Sequence, residues 1–202
     1  QGWMLGAFVT GLTGDATSTL FAALIAVALP SLYIMLGAAW LLIKTEGELF
    51  NKAVRWGRMA VWPMGGFLLL ISIATPLVSS AIADKWFTLP NAIGLMPIPI
   101  TTALAYVALV WIFNSKQILH NGYGWLAFVA LMVVCVLASI GLAYSLFPDI
   151  VLGQISIWEA ASATESLLFT FWGAIIALPM ILGYTIFIYR VFRGKATHLS
   201  YE

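Results

Sequence analysis

The side chains that could do chemistry are few. Two histidines, His120 and His198, and one cysteine, Cys135, are all that a metal or haem could draw on besides seven scattered methionines. A haem in a membrane bundle takes a His, Met, Cys or Tyr ligand from inside the bundle. A metal ion needs a cluster of His, Cys or carboxylate groups. His120 falls in a short polar turn, Asn114 to Asn121, and His198 in the C-terminal tail. The methionines are spaced as gap-fillers are, and Cys135 reads as a small buried apolar residue. The expectation is that this chain binds no cofactor and no metal.

The carboxylates tell a similar story. Glu165 opens an apolar stretch, where a helix dipole and unpaired amide groups favour negative charge. Asp149 and Glu159 lie in a polar connection, as solvated groups or at a subunit contact. An ionisable group in hydrocarbon costs several kcal/mol and marks an ion path, and none falls in the middle of an apolar stretch. The run Lys44-Thr45-Glu46-Gly47-Glu48-Leu49 has two readings. In one a span simply runs on, with Glu48 and Lys52 as an i,i+4 pair worth a few tenths of a kcal/mol. In the other it is a docking loop for a partner subunit. Physics alone favours the first.

The elements that must position these residues follow from composition. Apolar types make up 62% of the 202 residues and charged types 8%. Soluble domains are about half apolar and about a quarter charged, so lipid is the solvent that suits this chain. A net charge of +1 gives nucleic acid nothing to bind. Five long apolar stretches run from Thr19 to Ile43, Met59 to Ala83, Ile93 to Phe113, Gly124 to Phe147 and Ser166 to Val191. Each is long enough to cross a bilayer. Gly2 to Leu12 is too short, and reads as a helix cut by the start of the chain with more preceding it. No period-2 alternation suggests a barrel, so the fold class expected is all-α: a polytopic transmembrane helix bundle of five full spans plus a truncated first helix. Pro30, Pro63, Pro76, Pro97, Pro99 and Pro179 fall in spans, as packing kinks. Gly37, Gly65, Gly66, Gly141, Gly173 and Gly183 are expected to permit close helix approach.

Alternating the spans sorts the charges. Lys44, Lys52, Arg55, Arg58, Lys116, Arg190, Arg193 and Lys195 fall on one side, and of the nine basic residues only Lys85 falls on the other. By the positive-inside rule the basic side, with the C-terminus, is cytoplasmic. Asp15, Asp84, Asp149, Glu159 and Glu165 face outward. Trp3, Trp56, Trp62, Trp86, Trp125 and Trp158 sit near span ends as an interfacial belt.

The run Gly37-Ala38-Ala39-Trp40-Leu41-Leu42-Ile43-Lys44-Thr45-Glu46-Gly47-Glu48-Leu49 closely resembles the signature of subunit II of the cytochrome bd quinol oxidases. So do Trp86-Phe87-Thr88-Leu89-Pro90-Asn91, Ser156-Ile157-Trp158-Glu159-Ala160-Ala161-Ser162 with the later Leu178-Pro179, and Tyr189-Arg190-Val191-Phe192-Arg193-Gly194-Lys195. The matches come in order across most of the chain.

The resemblance implies an accessory, haem-free subunit in the bacterial inner membrane. Its partner would be a haem-bearing subunit I, holding haems b and d, or b only. The complex would oxidise quinol and reduce dioxygen to water, taking protons from the cytoplasm without pumping. Residues 1–202 would form one helical domain, the C-terminal portion of an eight-span subunit; the family's proton-delivery motifs lie in the part before it. Lys44, Glu46, Glu48, Trp158 and Glu159 are the subunit-contact candidates. The alternative is a small transporter or half-transporter for a neutral solute, with a site at broken helices.

Overall fold

The computed structural model describes residues 1–195, and His198 lies outside them. The chain order is α1 (Gly2–Val9), α2 (Ala16–Lys44), α3 (Gly47–Val78), α4 (Ser80–Phe87), α5 (Asn91–Leu95), α6 (Pro97–Asn114), α7 (Lys116–His120), α8 (Trp125–Leu146), β1 (Asp149–Val151), β2 (Ile155–Ser156), α9 (Ile157–Ala160) and α10 (Thr164–Val191). Five helical segments are long and apolar enough to cross a membrane: α2, α3, α5 with α6, α8 and α10. The expected span count and the helical fold class hold.

The spans α2, α3, α6 and α8 pack as one bundle. Met35, Val61, Leu109, Phe113 and Leu131 fill its centre, each nearly or wholly removed from solvent. Two α3 glycines make this packing possible. A Cβ on Gly57 would overlap the ring of Phe113, and one on Gly65 would overlap Tyr106. With no side chain at Gly65, the Tyr106 hydroxyl reaches the helix and donates to the Val61 carbonyl at 3.0 Å. At the far end α1 lies on α2, where a Cβ on Gly2 would come within 2.7 Å of Ala26 Cα. Small residues let backbones approach where lipid gives helices no hydrophobic push.

Several expectations need correction. Among the six glycines read as close-approach sites, Gly37, Gly66, Gly173 and Gly183 face open space; Gly65 and Gly141 have neighbours within 4 Å. Glycine composition alone does not say which helix face is covered, and close contacts also occur at Gly2, Gly6 and Gly57.

The second span was expected at Met59 to Ala83, but α3 starts at Gly47 and stops at Val78. Its first three turns are polar, so hydropathy misses them, while Gly47 at φ +64° turns the chain tightly out of α2. At the other end Ser79 caps a new helix, accepting from the Ile82 amide. The third span begins with a separate short turn, α5, because Pro97 starts α6 afresh. The polar turn at Asn114 to Asn121 contains α7, whose Leu119 is buried in the bundle core. The outer connection is not wholly helical or irregular: β1 and β2 pair as a small antiparallel hairpin.

Candidate subunit-contact site

The five residues singled out from sequence separate to opposite ends of the molecule. Lys44 and Glu46 meet the end of α10. Lys44 closes α2, and its Nζ donates to the carbonyls of Phe192 at 3.0 Å and Gly194 at 3.3 Å. Phe192 caps the C-terminal end of α10 and Gly194 follows just beyond it, so the cation stands at the negative pole of the helix. The same ammonium stands 5.7 Å from the Trp40 ring, and Trp40 meets Tyr189 of α10 edge-on at 5.8 Å. Glu46 completes the clamp with an ion pair to Lys195 at 3.2 Å.

Trp40, Lys44, Tyr189 and Phe192 also line an open cleft of about 660 Å³ between the two helices. Trp40 and Tyr189 belong to the motifs that carry the family resemblance and are contact residues besides the five candidates. Their spacing to Lys44 and Arg190 was the available signal, since Trp40 stands one helical turn before Lys44.

Glu48 does not join the clamp. It pairs with Lys52 at 2.8 Å, one turn along α3, with both side chains at least half exposed. This is the plain i,i+4 pair. Beside it Arg58, not singled out before, donates through Nε to the Phe113 carbonyl at 2.6 Å and so holds the end of α6. These contacts, with the cleft that Lys116 and His120 of α7 share with Arg55 and Arg58, place basic residues of α2, α3, α7 and the α10 end at one pole of the bundle.

Trp158 and Glu159 lie at the other pole. Ser156 and Glu159 form a reciprocal cap on α9: the Glu159 carboxylate accepts from the Ser156 amide at 2.8 Å, and the Ser156 hydroxyl accepts from the Glu159 amide. The Ser156 amide, and after it the Ser156 hydroxyl, hold this carboxyl below the usual carboxylate range. Trp158 packs its ring against Phe147 at 6.2 Å and remains 69% exposed.

The same pole carries two further polar knots. The hydroxyls of Ser18, then Thr13 and Thr17, surround Asp15 ahead of α2 and hold its carboxyl far below its ordinary value. Lys85 donates to the carbonyls of Ser145 at 3.1 Å and Phe147 at 2.7 Å, closing α8 as Arg58 closes α6. Trp86, read as a belt residue, donates to the Ser145 hydroxyl at 2.8 Å instead of only to the interface.

Among the described residues no three His, Cys, Asp or Glu gather where a metal ion could sit. His120 stands exposed on α7, outside the spans. Its Nδ1 lies 2.9 Å from the Lys116 carbonyl; a carbonyl only accepts, so this nitrogen carries the proton. Polar knots close the helix ends at both poles, and α10 is held to α2 by the clamp at one end. Comparison with curated proteins gives no match. The family model described as cytochrome bd terminal oxidase subunit II matches residues 1–192, and the chain therefore belongs to that family.

Proposed function

We propose that this chain is a haem-free supporting subunit of its oxidase, packed beside a haem-bearing subunit I. As a component of a cytochrome bd oxidase it works in a complex with another oxidase subunit, on quinol. The observation that carries the finer reading is α10: a membrane-length helix without a single buried residue. A span so bare in its own chain is suited to being covered by a neighbour.

Two further observations support the haem-free role. The space between α2, α3, α6 and α8 is filled by side chains such as Met35, Leu109 and Phe113, and the described histidine is outside the spans. The haems, b and d or b alone, are then held by subunit I, and this chain's apolar shell limits water access around them. A hydrophobic shell tunes a redox centre in this way. Quinol gives up electrons and protons at the complex, and dioxygen takes four of each to give two waters. The basic pole, with the end of α10, faces the cytoplasm of a bacterial inner membrane. One helical domain over 1–202, forming the C-terminal part of an eight-span subunit, is the organisation the family resemblance supports.

The test is to tag the chain in its native host, extract it gently and record a reduced-minus-oxidised spectrum. Haem bands, a larger partner and quinol-dependent oxygen uptake are expected, and the chain once separated should show no Soret absorption. A stoichiometric Soret band on the separated chain ends this reading.

A further inference from the structure

The basic pole holds a cleft that the clamp does not use. It has a volume of about 460 Å³ and is lined by Asn51, Arg55 and Arg58 of α3, Lys116 and His120 of α7, and an apolar floor of Val54 and Leu119. Asn51, Arg55 and Arg58 follow the i, i+4, i+7 spacing that puts residues on one helix face. Lys116 and His120 are one turn apart on α7. Two helix faces thus turn positive charge and hydrogen-bond donors toward a shared space.

Among the described residues no acid pairs with them. The ion pairs among the described residues are Glu48 with Lys52 and Glu46 with Lys195, so Arg55, Arg58 and Lys116 make none there. Only Arg58 has a hydrogen-bonding role in the fold, through Nε, and its terminal nitrogens are not needed for it. Three cations around one cleft repel one another, and an anion would relieve that repulsion.

The surroundings say which anion. The α3 face continues past Arg55 to Met59 and Trp62, which are 67% and 64% exposed. Both lie further into a membrane-length helix. Charge at the helix end followed by bare apolar surface matches a molecule with a phosphate at one end and hydrocarbon below it. The geometry points to a binding site for one anionic phospholipid: Arg55, Arg58 and Lys116 take the headgroup phosphate, and the acyl chains lie along Met59 and Trp62. Basic pockets between spans bind anionic headgroups on this principle, each Lys or Arg near the surface contributing about 1 kcal/mol. The site rests on the spans and the cleft, and stands whether or not the chain itself is haem-free.

The test uses the assembled oxidase in nanodiscs of equal parts phosphatidylglycerol and phosphatidylcholine, with native mass spectrometry of the lipid it retains. Wild type should retain phosphatidylglycerol in preference. The double substitution Arg55→Gln with Lys116→Gln should lower that preference about thirtyfold, the factor equivalent to two such contacts. Both side chains are exposed and hold no helix end, so the fold does not depend on them. Lys52→Gln removes a neighbouring charge that does not line the cleft and should leave retention unchanged. Equal retention in the double variant overturns the site, and so does an equal loss in K52Q, which would mean a diffuse basic surface. Displacement of the lipid by millimolar inorganic phosphate would assign the cleft to a free anion and overturn the phospholipid.

Discussion

Two membrane-length helices of nearly equal size, α2 with 29 residues and α10 with 28, live in opposite surroundings. Phe21, Ile25, Met35, Ala39 and Leu42 of α2 are buried against α1, α3 and α8. Along α10 no residue is buried, and Phe169, Met180 and Tyr184 are wide open. Both helices are apolar around their whole circumference. What separates them is close backbone approach: Gly2 and Gly6 seat α1 on Ala26 and Ala22 of α2, whereas Gly173 and Gly183 of α10 have nothing within 4 Å. Apolar composition places a helix in the membrane, and complementary shape decides which neighbour it has. Within the described chain α10 has no such neighbour along its length, apart from the clamp at one end.

Substitutions can break this contrast, and the largest effect should come from the core. Phe113→Ala empties the centre of the bundle, and large-to-small changes at such sites cost about 3 to 5 kcal/mol. Denaturant titration of the separated chain should show it. Phe169→Ala on α10, where the ring is 83% exposed, should stay within about 0.5 kcal/mol of wild type in the same assay. It should instead reduce the amount of partner subunit that co-purifies. Unchanged co-purification for Phe169→Ala and Trp172→Ala together would mean that α10 faces lipid.

Glycines sharpen the same comparison at a smaller scale. Gly57→Val forces a side chain into the buried Phe113 ring and should cost about 1 to 3 kcal/mol, as overpacking does. Gly173→Val has open space and should leave the separated chain's melting point unchanged. Loss of partner binding in Gly173→Val would show that a helix packs closely there in the complex.

The clamp should give less. Lys44→Met removes a cation from the C-terminal end of α10, a contact worth about 0.3 to 1 kcal/mol. Spin labels on α2 and α10 should then report a broader distance distribution between the helices. The Glu46–Lys195 pair is exposed and should add no more than about 1 kcal/mol. It should fade in 1 M salt, where charges are screened beyond about 3 Å.

The smallest effect is a pH response at the opposite pole. Because the folded Glu159 carboxyl lies below its unfolded value of 4.5, its contribution is full above that value. It is lost as pH falls through the lower, folded value. Amide exchange at Ser156 should therefore quicken in acid below about pH 4.5. Glu159→Gln should abolish that pH dependence; an unaltered response would place its origin elsewhere.

The membrane fold was legible because its signal is additive. Each span needs about 20 apolar residues in a row, and no single assignment among them has to be right. Boundaries were less so. The start of α3 at Gly47 is hidden in a polar helix that leaves the bilayer, and its end at Val78 depends on Ser79 capping the next turn. The sorting of the basic residues to one pole was read correctly, since it needs only the order of spans. Contacts such as Arg58 to the Phe113 carbonyl were not, because residues 55 positions apart share no local pattern. Of the candidate site, the run Lys44 to Glu48 divides: Glu48 with Lys52 is the solvated pair of the plain reading, while Lys44 and Glu46 hold the chain's own α10, a contact that neither reading contained.

The clamp on α10 also sets an order in time. Trp40, Lys44 and Glu46 enter the membrane well over a hundred residues before Tyr189 and Lys195 are made. Synthesis at roughly 5 to 20 residues per second leaves many seconds for the earlier helices to close around Phe113 before their last sister arrives. That sister then finds a finished wall with a single latch. If another subunit covers α10 as proposed, a chain newly released from the ribosome carries one span held at a single end until that subunit arrives. On that proposal α10 is the part by which a membrane protease would tell an orphan from an assembled oxidase.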